Sequence, residues 1–155
     1  MRKLSTGLVA VVLAFAAAAC DSNEEDLSDL EILVGSWTVV EVSDTEGDKT
    51  AIFEEGVQNF TATLNVDGSY SMLLDFVEPA RPDIPLQGDY ILHEGPNELE
   101  LHATLLGNPV VLPFEYRIET EDRVDLLISD ELVEPVFGTQ PDTYVGTITF
   151  TIARD

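Results

Sequence analysis

The side chains able to do chemistry are few. Two histidines (His93, His102), one cysteine (Cys20) and four tyrosines (Tyr70, Tyr90, Tyr116, Tyr144) stand among 30 carboxylates. A zinc centre needs its imidazoles close enough to share one ion. The spacing predicts His93 opposite Glu98 and His102 opposite Asp89 on adjacent strands, with the two rings about four residues apart along the ladder. Surface charge pairs with carboxylates are therefore the better reading. Asp44, Glu46 and Asp48 in "DTEGD" alternate as some calcium loops do, but the remaining ligands and the distal glutamate are missing. No Ser/His/Asp grouping, glycine-rich phosphate loop or cysteine cluster is visible. The chain is expected to be no enzyme and to hold neither metal nor cofactor.

The elements around these residues tell more. Residues 1–19 begin with Arg2 and Lys3, continue through an apolar run from Leu8 and end in small residues. That is the layout of a secretory signal peptide, and the apolar run falls short of the ~20 residues of a membrane-spanning helix. "AAAC", closing on Cys20, resembles the lipobox of bacterial lipoproteins, with Ala17 where leucine is commoner. The resemblance implies lipidation of Cys20 and a membrane anchor, since two or more acyl chains hold a protein stably to a bilayer. A thioether at Cys20 leaves no thiol for a disulfide, metal or nucleophile. Residues 20–32, opening "CDSNEED", read as the lipidated cysteine followed by an acidic tether. Acidic residues at this place resemble an inner-membrane retention signal in enteric bacteria and a surface-export signal in Bacteroidota-type lipoproteins. The membrane and its face stay open, within an expected location in the bacterial cell envelope.

The full chain carries a formal charge of −23. Loss of Arg2 and Lys3 with the leader leaves it more negative still. Such a surface repels nucleic acid and anionic headgroups, so neither is an expected partner. The shortage of lysine resembles proteins of salt-accumulating halophiles, an adaptation to solvent rather than a site.

From residue 33 to 155 the chain reads as one all-β domain. Eight segments alternate apolar and polar residues with period two. Their inward residues are Trp37 and Val39; Phe60, Ala62, Leu64 and Val66; Tyr70, Met72, Leu74 and Phe76; Leu86, Gly88, Tyr90 and Leu92. Leu99, Leu101 and Ala103 follow, then Val110, Leu112, Phe114, Tyr116 and Ile118. Val124, Leu126 and Ile128 come next, and Tyr144, Gly146, Ile148, Phe150 and Ile152 close the domain. "DLSDLEILVG" allows one short helical turn before them, with Leu27, Leu30 and Leu33 on a side. Loops 43–57, 77–85, 105–109 and 130–143 gather at one end, and three tight turns ("VDGS", "EGPN", "TEDR") at the other. Eight antiparallel strands with one apolar face close into an up-and-down barrel, which removes both exposed edges.

In such a barrel the last strand ends where the first begins, bringing Arg154 to Trp37, where a guanidinium stacks well on an indole. Gly35-Ser36-Trp37 matches the lipocalin Gly-x-Trp motif, and Arg154 falls where lipocalins place an arginine over that tryptophan. Residues 26–155 thus resemble the lipocalin-like (calycin) domains of bacterial lipoproteins, without the long helix after the seventh strand and without a disulfide. Trp37 and Arg154 are read as barrel closure rather than binding residues.

The resemblance implies a cavity for a small hydrophobic or amphipathic molecule. Phe76, Leu86, Tyr90, Leu112, Ile128 and Tyr144 would face it near the open end. Ile52, Phe53, Leu105, Leu106, Val136 and Phe137 would form the lid, and Lys49 and Arg81 would meet an anionic head. The alternative is a filled barrel serving as an interaction or accessory module for an envelope protein partner. At eight strands the interior either just fills with side chains or holds one small ligand.

Overall fold

The computed structural model describes residues 27–78, 82–105, 107–137 and 143–155, with the side chains of residues 134–137 left aside. Nine strands are β1 (Gly35–Asp44), β2 (Gly47–Asp48), β3 (Val57–Leu64), β4 (Ser69–Phe76), β5 (Ile84–His93), β6 (Glu98–Leu105), β7 (Asn108–Thr120), β8 (Arg123–Ser129) and β9 (Thr147–Arg154). Three short helices join them: α1 (Asp29–Leu33), α2 (Thr50–Gly56) and α3 (Asp130–Phe137). The period-two pattern decides which face is buried. On β4, Tyr70, Met72, Leu74 and Phe76 are buried while Ser71 and Leu73 are exposed.

Strands pair antiparallel in chain order, and β1 pairs with β9 to close the sheet. β2 is only a two-residue hairpin on the end of β1, so the barrel itself has the eight expected strands. Closure is uneven. β1 pairs with β3 only through Gly35–Thr38 against Thr61–Leu64. Beyond a bulge between Val39 and Glu41, β1 stays with β9 up to Ser43. A seam therefore opens between the upper halves of β1 and β3.

Several local expectations are corrected. Val66 is 80% exposed, because β3 ends at Leu64 and the hairpin starts at Asn65, whose carbonyl accepts the Gly68 N–H. Tyr144 and Gly146 precede β9, which begins at Thr147. A Cβ on Gly146 would meet Thr45 at 2.9 Å rather than point into the barrel. Leu27 is exposed, since α1 starts after the Ser28 cap and buries Ile32 and Leu33 instead. The loops at 43–57 and 130–143 contain α2 and α3, whose seven and eight residues are too short for helical periodicity to show.

Candidate functional site

The floor of the barrel is built by β1, β7 and β9 reaching down to α1. Ser28 caps that helix, and Glu31 returns the bond to the Ser28 N–H. Trp37 Nε1 donates to the Leu33 carbonyl at 2.9 Å. Tyr116 donates its hydroxyl to Asp29 at 2.6 Å. Arg154 donates to the carbonyls of Ile32 and Val34 at 2.6 and 3.2 Å. One residue from each of three strands thus pins one turn of helix.

Above this floor lies a small chamber lined by Trp37, Phe60, Met72, Phe114, Leu126 and Phe150, with Val39, Ala62 and Ile152 completing the wall. Every lining residue is apolar. Its volume of ≈ 10 Å³ is that needed by a single water. The roof is a cluster of three rings. Phe53 reaches in from α2 to 6.4 Å from Phe60 and 6.0 Å from Phe150, and those two lie 5.8 Å apart, nearly edge-on. Phe53 is the buried residue of α2, while Ile52, Glu54 and Glu55 point outward. Val133 of α3 is likewise buried.

The seam holds a second hollow of ≈ 110 Å³ beneath α2, between Val39 and Val42 on one side and Val57 and Phe60 on the other. Val39 and Phe60 belong to both spaces, so the hollow and the chamber are separated by those two side chains. The unpaired upper edge of β1 is served by Thr50, whose hydroxyl accepts the Val42 N–H at 3.0 Å.

No family model and no curated protein matches the chain. Among solved structures it is similar to insecticyanin from the tobacco hornworm Manduca sexta, a lipocalin. The TM-score is 0.55 and the identity 14%, over 83% of this chain and 64% of that one, somewhat under two thirds of the relative's length. The fold is lipocalin-like.

Within this lipocalin-like barrel the residues expected at the ligand are dispersed. Phe76, Leu86, Leu112 and Ile128 are buried in the core but do not line the chamber. Tyr90 sits at the opposite end from the one expected, because β5 runs from the open end to the turns. Its hydroxyl donates to the Asn65 carbonyl at 2.7 Å, and its N–H to Gly68. Tyr144 is half-buried near the open end, so Tyr90 and Tyr144 do not converge. The chamber residues Phe60, Met72, Phe114, Leu126 and Phe150 were all legible as inward positions. Their shared height in the barrel was not, because bulges in β1, β3 and β7 shift the register.

Lys49 does not wait for an anionic head. Its ammonium lies 3.4 Å from Asp44 and 3.2 Å from Glu46, and these contacts, the Glu46 hydrogen bond first, push its pKa up. Asp44 is a fully covered latch. One carboxylate oxygen accepts the N–H groups of Glu46 and Gly47, the other that of Val145 at 3.0 Å. Burial pushes its pKa up, but these N–H groups and Lys49 outweigh it and hold the carboxyl below the ordinary 3.8. Asp48 accepts the Thr50 N–H. The three alternating carboxylates therefore serve the backbone and Lys49, and among the described residues no three His, Cys, Asp or Glu gather as a metal group. Cys20, Arg81 and Leu106 lie outside the described residues, and Val136 and Phe137 outside the described side chains.

The histidine register is as expected, His93 opposite Glu98 and His102 opposite Asp89. Both rings nevertheless turn to one carboxylate, Glu100, at 3.7 and 3.0 Å. The His102 hydrogen bond, more than His93, lowers the Glu100 pKa.

Proposed function

We propose that this protein binds a small apolar or amphipathic molecule inside the barrel, and that lipidation of Cys20 holds it to a membrane of the bacterial cell envelope. A lipocalin-like barrel suits small hydrophobic ligands in general. The observation that supports the reading here is the wholly apolar chamber, two of whose lining rings, Phe60 and Phe150, are covered by Phe53, one side chain on one short helix. In the closed form the chamber is far below the roughly 300 Å³ of an ordinary ligand pocket. Binding therefore requires Phe53 to swing out and Phe60, which it packs against, to yield, so that chamber, seam hollow and mouth join. The anchor rests on the leader and "AAAC" alone. Among the described residues no helix is long and apolar enough to cross a membrane.

The ring cluster favours one second reading. If Phe53, Phe60 and Phe150 stay packed, the barrel is filled and serves as an interaction module at the membrane surface.

Native mass spectrometry of the full chain, followed by solvent extraction, separates the two. A stoichiometric small molecule that leaves on extraction identifies a binder and its ligand class. An apo mass that does not shift with a panel of fatty acids and isoprenoids rejects binding and leaves the filled barrel.

A further inference from the structure

Of the tyrosines on inward positions, two have assigned work. Tyr90 closes the β3–β4 hairpin through Asn65, and Tyr116 holds α1 through Asp29. Tyr70 differs. It is 3% exposed, and its hydroxyl is fully covered with no hydrogen-bond partner among the described residues. Leaving a buried hydroxyl unpaired is unfavourable, since water would have satisfied it.

Packing explains the ring of Tyr70 but not its oxygen. The ring rests against Gly88 of β5, where a Cβ would stand 3.4 Å from Tyr70 Cε1 and 1.9 Å from the His102 carbonyl oxygen. A phenylalanine would fill the same place without the unpaired hydroxyl. Along β4 the next inward residue is Met72, which lines the chamber. Tyr70 therefore stands one inward position below the chamber, towards the floor.

We infer that the Tyr70 hydroxyl is the polar contact of the barrel, donating a hydrogen bond to a neutral ligand that bears an acceptor oxygen, such as a ketone, aldehyde, ester or amide carbonyl. This inference rests on the binding function proposed above and specifies the ligand's chemistry. Neutrality follows from the charges. The described cations are engaged: Lys49 by Asp44 and Glu46, Arg117 by Glu115, Arg123 by Glu41 and Arg154 by Asp122. A carboxylate at Tyr70 would meet no free counter-charge and would feel Asp89. Burial, with Asp89 adding to it, pushes the Tyr70 pKa up to about 12, so the phenol keeps its proton as a donor.

The test uses two fluorescent probes on the full chain after solvent extraction and refolding. One is a propionyl-dimethylaminonaphthalene, a neutral ketone; the other is its propyl analogue, which lacks the carbonyl. Wild type is expected to bind the ketone about tenfold more tightly than the analogue, the worth of one good hydrogen bond. Tyr70→Phe should abolish that preference while leaving the analogue's affinity and the melting temperature of the unliganded chain unchanged or higher. Tyr90→Phe should keep the preference. Equal binding of the two probes to wild type, or a preference that survives Tyr70→Phe, overturns the assignment. A lowered melting temperature of unliganded Tyr70→Phe overturns it too, by showing the phenol already satisfied within the protein or by buried water. Failure to bind either probe overturns the binding function itself, and the assignment falls with it.

Discussion

The guanidinium of Arg154 lies 4.7 Å from the centre of the Trp37 ring, and the two residues face each other across the β1–β9 closure. One arginine therefore stacks on the indole, satisfies the Ile32 and Val34 carbonyls of the closing helix, and reaches the Glu121 carbonyl of the adjacent turn. Arg154→Lys keeps the charge but loses the planar fork. It is expected to cost about 1–3 kcal/mol in urea denaturation. Gly35→Ala should destabilise as well, because its Cβ would lie 2.6 Å from Arg154 Nη1 at a φ of +146°. An unchanged midpoint in either variant would contradict this closure.

Asp44 ties the β1–β2 hairpin to the segment entering β9. Asp44→Ala strands the N–H groups of Glu46, Gly47 and Val145, and a loss of about 1–3 kcal/mol is expected. Because the folded-state pKa lies below 3.8, the stability Asp44 adds is present above that value and is lost as pH falls through the lower native value. The stability gap between wild type and Asp44→Asn should therefore narrow below pH 3.8. Acid titration followed by Trp37 fluorescence measures it.

Phe53→Ala uncovers Phe60 and Phe150, two of the rings that line the chamber. Burial of the ring against Phe60 and Phe150 predicts a loss of about 3 kcal/mol. The same variant should take up an apolar probe faster, because Phe60, which divides chamber from seam, loses the ring packed against it. Stopped-flow fluorescence with a neutral naphthalene dye reads the rate. Unchanged uptake would favour the filled barrel.

Tyr116→Phe frees Asp29 and loosens α1 without touching the chamber. Faster amide exchange confined to Asp29–Val34 is expected, with a stability loss of about 1 kcal/mol. Exchange spread over the whole barrel would instead make Tyr116 a core packing residue.

Much of the architecture was legible because each strand has one buried face. Period-two alternation gave eight strands and nearly all inward residues. Gly35, Trp37 and Arg154 showed which ends meet, since an even-stranded meander returns to its start. The places where reading failed share a cause. Val66 and Tyr144 continue the alternation in sequence, but hydrogen bonds of the neighbouring turn end β3 before Val66, and those of the latch hold the chain so that β9 begins only after Tyr144. Tyr90 has the right face and the wrong height.

By itself, the amino-acid sequence determined the fold class, the net charge of the chain and the pairing of Trp37 with Arg154, because each follows from local composition or from the parity of the strands. Only the tertiary structure decided which inward residues share a level, that Phe53 packs over the chamber rings Phe60 and Phe150, that Lys49 is consumed by Asp44 and Glu46, and that Tyr70 alone of the buried tyrosines lacks a hydrogen-bond partner among the described residues. Those are relations between strands whose register is set by bulges and by long-range closure, and alternation within one strand carries no information about them.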